Sequence, residues 1–214
     1  MKTDEIKMII FDMDGVILDS EPLHEEARQE MFREMNIVLD ETFPDPVGKA
    51  TDEFWALIFQ RLGMEGDAKA KGVQHYRLVA EMVERNHIGA SEGLVDVLQW
   101  AKKKGIKTAI ASSSPRFLVD EVMRLLGIGK YFDCTVSGDE VERRKPNPDI
   151  YLKVLEEMGM TAEEAVAVED SGTGVKAAKA AGIYCFGYLN PTSGPQEIGM
   201  ADCQIRHLNE IMES

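Results

Sequence analysis

The feature that most constrains this chain is the run Met8-Ile9-Ile10-Phe11-Asp12-Met13-Asp14-Gly15-Val16. Four apolar residues lead straight into two carboxylates one residue apart, and glycine follows at once. A short continuous apolar run fits a strand covered on both faces, as in a parallel sheet. A helix would have to break its apolar side with Asp12 and then accept Gly15, a poor helix residue. Asp12 is therefore expected at the carboxyl end of a parallel strand, where open α/β sheets place their ligands. In an extended chain Asp12 and Asp14 point to the same side. Carboxylates that close repel unless a cation lies between them or one holds a proton. Mg²⁺, which prefers hard oxygen ligands, would relieve them. Gly15 lets the backbone turn and aim peptide N–H groups at an anion. Taken alone, the pattern is served equally well by a solvated turn after a strand.

The remaining chain supplies the context. Ser20 can cap a helix that Pro22 opens, with Leu23, Ala27, Met31 and Met35 at i+4 spacing. A loop with Pro44, Pro46 and Gly48 follows. Thr51-Asp52-Glu53 opens a second helix with Phe54, Trp55, Ile58 and Leu62 inward, and Val73, Tyr76, Val79, Ala80 and Val83 mark a third. No strand pattern lies between residues 20 and 88, so this stretch reads as an all-helical insert with the size of a small domain.

From residue 90 strands and helices alternate. Ser91 is expected to cap a helix that Gly105 ends, and Ile106 to Ala111 reads as a strand running into Ser112-Ser113-Ser114. Ser114 is expected to cap the next helix, begun by Pro115 and stopped by Gly127. Phe132 to Val136 reads as a strand, Asn147-Pro148 as a helix start, and Thr161 with Glu164 as a capping box. Ala165 to Val168 is a strand ending in Glu169-Asp170, with Asp170 a candidate N-cap of the Ala-rich helix from Gly172. A last strand, Ile183 to Gly187, and a helix over Leu208 to Met212 close the chain. The fold class is α/β, a doubly wound parallel sheet, with residues 1–18 and 90–214 forming the core domain and residues 19–89 inserted into it.

The net charge of −14 over 214 residues argues against nucleic acid as a partner, while a small anion remains compatible where a few cations converge. The three cysteines form no CxxC pair and read as inert thiols of a reducing compartment. The first apolar run is too short for a signal peptide and no stretch approaches a membrane span. The expectation is a cytoplasmic protein with no membrane partner, acting as a monomer.

Three expected strands end in polar clusters: Asp12 with Asp14, Ser112 to Ser114, and Glu169 with Asp170. A fourth cluster, Arg143-Arg144-Lys145-Pro146, precedes a helix. In a parallel sheet those strand ends share one crevice, and their combination is the inventory of metal-assisted phosphoryl transfer. Four motifs carry a family resemblance: Phe11-Asp12-Met13-Asp14-Gly15-Val16, Ala111-Ser112-Ser113-Ser114, Lys145-Pro146 and Val168-Glu169-Asp170-Ser171. In order and placement they resemble the haloacid dehalogenase-type hydrolases, most closely the branch with beta-phosphoglucomutase and the sugar-phosphate phosphatases. The helical insert, residues 19–89, resembles that branch's cap domain, and Asp19-Ser20-Glu21-Pro22-Leu23-His24 resembles its entrance.

The resemblance implies the roles. Asp12 is the nucleophile that becomes an aspartyl-phosphate. Asp14 protonates the leaving oxygen and then deprotonates water. Mg²⁺ is held by Asp12, the Asp14 carbonyl and Asp170, with Glu169 close by. Ser112 and the Ser113 amide hold the phosphoryl oxygens, and Lys145 offsets charge. His24, Lys49 and Arg116 are candidate substrate contacts, with a structural role standing beside that reading for His24 and a surface helix arginine for Arg116; Arg143 and Arg144 are left as surface charges, and His75 as incidental. The implied activity is a Mg²⁺-dependent phosphatase of small phosphorylated metabolites, with a phosphomutase as the alternative. The mutase is disfavoured because relatives of that type carry two basic cap-loop side chains, where this stretch offers only Lys49. A dehalogenase is disfavoured because those enzymes lack the second aspartate that Asp14 supplies. A phospho-aspartate receiver switch would be a single α/β domain and has no place for the insert.

Overall fold

In the computed structural model of the chain, residues 6–38, 43, 50–194 and 196–213 are described. Six strands, β1 (Met8–Phe11), β2 (Lys107–Ala111), β3 (Cys134–Val136), β4 (Ala165–Glu169), β5 (Tyr184–Tyr188) and β6 (Cys203–Ile205), form one sheet. Its order is β3-β2-β1-β4-β5-β6 and every pairing is parallel. The α-helices are α1 (Glu21–Glu34), α2 (Thr51–Leu62), α3 (Ala68–Arg85), α4 (Leu94–Lys104), α5 (Arg116–Leu126), α6 (Asp149–Met158) and α7 (Gly172–Ala180). The doubly wound parallel sheet expected from the alternation is therefore present.

The strand order fixes where chemistry can sit. From β1 the chain moves outward through β2 to β3, then returns to β4 on the other side of β1. That reversal opens a crevice at the carboxyl ends of β1 and β4. The register places Phe11 beside Ile110 and beside Val168. One residue further on, Ala111, Asp12 and Glu169 stand abreast on three neighbouring strands.

Alternation along each strand builds the core. Met8 and Ile10 of β1, Ala109 and Ala111 of β2, and Ala165 and Ala167 of β4 form one buried layer with α6 and α7, which contribute Tyr151, Val154, Val175 and Ala178. α7 begins at Ser171, whose hydroxyl accepts the Gly174 N–H at 3.0 Å. The capping box at Thr161 and Glu164 is formed as expected.

The chain divides into two compact units, Met1–Glu21 with Gly89–Ser214, and Pro22–Ile88. The first holds the sheet and α4 to α7. The second has its own core of Met31, Phe32, Phe54, Trp55 and Ile58, with Trp55 tilted against Phe32 at 5.2 Å between ring centres. A fully buried aromatic of that size contributes roughly 3 kcal/mol of transfer free energy, enough for a three-helix packing to matter.

Several local expectations change. A sixth strand, β6, extends the sheet beyond Ile183–Gly187. Gly93, not Ser91, stands at the N-cap of α4, with φ 81°. Pro115 caps α5 without a side-chain bond, so Ser114 is released from that role. Ser171 takes the cap of α7 in place of Asp170: it stands directly before Gly172, and the Asp170 carboxylate accepts Ser193 Oγ instead. The closing segment Leu208–Glu213 is 3-10 rather than α-helical. The loop with Pro44, Pro46 and Gly48 lies outside the described residues, as does Lys49. Among the described residues no helix is long and apolar enough to cross a membrane.

Candidate active site

The three abreast positions Ala111, Asp12 and Glu169 meet at one ammonium group. Lys145 Nζ donates to Asp12 Oδ1 at 2.7 Å, to Glu169 Oε1 at 2.6 Å and to the Ala111 carbonyl at 2.8 Å. An ammonium has three N–H donors, and all three are used. The Lys145 side chain is 5% exposed, Asp12 10% and Glu169 0%. Burial alone would lower the Lys145 pKa, but Asp12 and Glu169 outweigh it and raise it above the ordinary lysine value, so the cation is permanent.

Asp14 is held by hydroxyls. Ser20 donates to its Oδ1 at 2.8 Å and Ser114 to its Oδ2 at 2.7 Å. Ser20 and Ser114, expected as helix caps, thus meet on Asp14 from opposite sides of the sequence. Ser112 is fully buried, and its Oγ accepts the Ser114 N–H at 3.1 Å. That bond closes a tight turn and leaves Ser113 exposed. The turn is backed by Gly138, whose N–H donates to the Ser114 carbonyl at 3.0 Å; a Cβ there would collide with the Ser113 backbone.

Asp170 completes the cluster. Its Oδ2 accepts Ser193 Oγ at 2.8 Å, and its main-chain carbonyl accepts Gln196 Nε2 at 2.8 Å. Gly15 has φ 77°, and a Cβ on it would collide with the Asp170 carboxylate, so glycine is needed there twice over. Asn190 Nδ2 donates to the Gly15 carbonyl at 3.0 Å and ties the loop after β5 to the turn after β1. Gly174 serves Glu169 in the same way, since a Cβ would overlap its carboxylate.

The electrostatics of this group are unbalanced. Burial pushes the Asp12 carboxyl well above the usual carboxylate range; Lys145 pulls it down, and Glu169, Asp170 and Asp14 push it further up. Burial likewise raises Asp170 to about 7, against the lowering bond from Ser193 and with Glu169, Glu21 and Asp14 adding to the rise. Oxygens of Asp12, Glu169 and Asp170 lie within 4.8 Å of one another, and all three residues are buried. Buried hard-oxygen donors facing each other with one shared lysine suit a small divalent cation such as Mg²⁺. The Asp14 carboxylate is committed to Ser20 and Ser114 and is not part of that trio.

The other candidates have partners of their own. The Arg116 guanidinium donates to Glu140, to the Thr135 carbonyl at 2.6 Å and to Asp120 at 3.5 Å. Arg143 pairs with Asp149 at the surface, 2.8 Å apart. His24 of α1 lies in the helical unit, buried, with its Nδ1 2.9 Å from Nε2 of His75 of α3. His75 is thus a buried partner of His24 rather than incidental. The cysteines are free, and burial pushes the Cys134 thiol up to about 12, so it carries no thiolate at neutral pH. No local sequence signal marks Tyr151, Ser193, Asn190 and Gln196, because their bonds to Glu169, Asp170 and Gly15 join residues distant in the chain.

Similarity to known proteins bears on this geometry. A family model described as haloacid dehalogenase-like hydrolase matches residues 6–182. The phosphorylated carbohydrates phosphatase of Thermotoga maritima is 36% identical over 183 residues, covering 83% of this chain and 82% of that protein. The solved structure of CbbY from Rhodobacter sphaeroides in complex with phosphate is similar with a TM-score of 0.81 and 29% identity, covering 94% of this chain and 93% of that one. A variant of the same protein has been solved with xylulose-(1,5)bisphosphate, with a TM-score of 0.80 and 27% identity over the same shares of the two chains. By its matched length, its fold and the motifs at its strand ends, the chain belongs to the haloacid dehalogenase-like hydrolases.

Proposed function

We propose that the chain is a phosphoric monoester hydrolase, a Mg²⁺-dependent phosphatase of small phosphorylated metabolites, sugar phosphates foremost, acting through an aspartyl-phosphate on Asp12. The observation that carries this is Lys145 bridging Asp12 and Glu169 at 2.7 and 2.6 Å in a buried acidic crevice. An anionic nucleophile approaches an anionic phosphate only where cations offset the repulsion, and one fixed ammonium already sits on the nucleophile. The relatives named as phosphatases support the same class of reaction.

In the first step an Asp12 carboxylate oxygen attacks phosphorus and the bond to the ester oxygen breaks. Asp14, oriented by Ser20 and Ser114, gives its proton to that oxygen, and the alcohol leaves. In the second step water attacks phosphorus and passes its proton to Asp14. The bond between phosphorus and Asp12 breaks, freeing inorganic phosphate. Ser112 and the Ser113 N–H hold the phosphoryl oxygens while Lys145 balances their charge. Asp12, Glu169, Asp170 and the Asp14 carbonyl would hold Mg²⁺, which supplies further neutralisation of the transferring group.

Residues 19–89 act in this proposal as a cap that excludes water and carries specificity, with His24 and Lys49 as its substrate contacts. A phosphomutase would have to grip a second phosphate, and Lys49 is the only basic residue in Pro46-Val47-Gly48-Lys49-Ala50-Thr51. The test is a panel of phosphorylated metabolites assayed for inorganic phosphate with Mg²⁺ and with chelator. Release from sugar phosphates that stops on chelation is the expected result. A long-lived phospho-aspartate without turnover would replace the enzyme with a switch.

A further inference from the structure

Tyr151 lies on α6, is fully buried, and has no role in the proposed chemistry. Its hydroxyl nevertheless donates to Glu169 Oε1 at 2.5 Å. That same oxygen takes Lys145 Nζ at 2.6 Å, and Nζ lies 5.3 Å from the centre of the Tyr151 ring. One side chain therefore touches both the acid and the cation that flank Asp12. From this we infer that Tyr151 is a positioning residue, its hydroxyl and ring fixing Glu169 and Lys145 in the arrangement that shares the lysine with Asp12.

Glu169 is fully buried and needs strong donors. Lys145 supplies one N–H, but its others go to Asp12 and Ala111. The Tyr151 hydroxyl makes up the shortfall. Without it Glu169 would draw Lys145 towards itself and off the nucleophile. The terminal torsion of a glutamate is broad. Oε2 has only a long bond from Ser171 Oγ at 3.4 Å, so the two short bonds on Oε1 from Lys145 and Tyr151 do most to set the orientation of the carboxylate before any cation arrives. Outer partners of metal-binding carboxylates commonly matter by 10–100-fold in affinity or rate. Burial, with Glu169 and Asp12 adding to it, pushes the tyrosine pKa well above its usual value, so the hydroxyl remains a donor.

This inference rests on the proposal that Glu169 and Lys145 serve phosphoryl transfer, and the experiment separates the two. Wild type and Tyr151→Phe are compared in Mg²⁺ titration calorimetry, in thermal unfolding without metal, and in hydrolysis of p-nitrophenyl phosphate. The expected result is about tenfold weaker Mg²⁺ binding and a fall of about tenfold or more in kcat, with KM for the phosphoester little changed. A melting temperature that drops while Mg²⁺ affinity and kcat stay at wild-type values would make Tyr151 a core residue only and overturn the inference. Wild type that neither binds Mg²⁺ nor releases phosphate would instead overturn the proposed function. Should Tyr151→Phe fail to fold, the wild-type protein is examined by NMR with labelled tyrosine. A slowly exchanging hydroxyl proton that persists on adding Mg²⁺ supports the positioning role, and its disappearance on adding Mg²⁺ overturns it.

Discussion

Two groups of acids stand at carboxyl ends of strands in the same sheet, and their chemistry runs in opposite directions. After β1 and β4 lie Asp12, Glu169 and Asp170, buried together, with Lys145 shared by Asp12 and Glu169. After β3 lie Asp139 and Glu140, partly exposed and well supplied with donors. Asp139 accepts Ser137 Oγ at 2.5 Å and the Arg116 N–H at 3.2 Å. Glu140 accepts the Ser137 N–H at 2.8 Å, its Oγ at 2.7 Å and the Arg116 guanidinium. Burial pushes both acids of this second group up, but those bonds outweigh it and hold them below the usual carboxylate range. In the first group burial wins. Like residues in like places thus differ by their donor supply. The under-supplied group is the one built to receive something, and the matched group is a fastening.

Asp12→Asn keeps the shape and removes the anionic nucleophile of the crowded group. Steady-state phosphate release is expected to fall by at least about 1,000-fold while the circular dichroism spectrum stays that of the wild type. Near-normal turnover would mean that the crowded group does not contain the nucleophile.

The difference between the groups also predicts a stability profile with two opposed limbs. Asp139 and Glu140 have folded pKa values below their unfolded ones, so their contribution is present above about pH 4 and is lost as pH falls through the folded values. Asp170 is raised to about 7, so the folded state holds a proton that the unfolded chain has shed. Its contribution favours folding below about pH 4 and fades as pH rises towards 7. Metal-free protein is therefore expected to lose several degrees of melting temperature between about pH 5 and 7.5. Mg²⁺ binds the ionised acids and should remove that loss, with proton release on binding near pH 6. Calorimetry in two buffers of different ionisation enthalpy measures the protons. A pH-independent melting temperature without metal would put the two groups on the same footing.

The strand bearing Asp12 was legible because four apolar residues and an acid are a local pattern that a parallel strand satisfies within itself. The strand ends at Ser112 and Glu169 were legible for the same reason, and alternation then implied the sheet. What escaped depends on distance along the chain. Ser114 had a good local role as a helix cap, yet its hydroxyl goes to Asp14, 100 residues away. Nothing local marks Tyr151, because Glu169 reaches its hydroxyl from 18 residues further along the chain. Cys203-Gln204-Ile205 is too short to show a period, and becomes a strand because β5 offers an edge. His24 and His75 are 51 residues apart, so nothing local marks them as partners.

The smallest expected effect tests the fastening itself. Arg116 reads from the sequence either as a substrate contact or as a surface helix arginine, and its guanidinium is engaged with Glu140, Thr135 and Asp120. To reach a substrate it would have to leave Glu140 short of a donor, when the same loop supports the Ser112–Ser114 turn through Gly138. At about one third exposure on each side, the pair with Glu140 is worth about 1 kcal/mol or less after screening by solvent. For a chain of this size that is a drop of about 2–4 °C in melting temperature. Arg116→Ala should therefore lower stability slightly and leave KM within about threefold of wild type. Arg116→Lys should not restore the stability, since an ammonium cannot span Glu140 and the Thr135 carbonyl as a planar fork does. A KM raised tenfold or more with the melting temperature unchanged would move Arg116 out of the matched group and into the site.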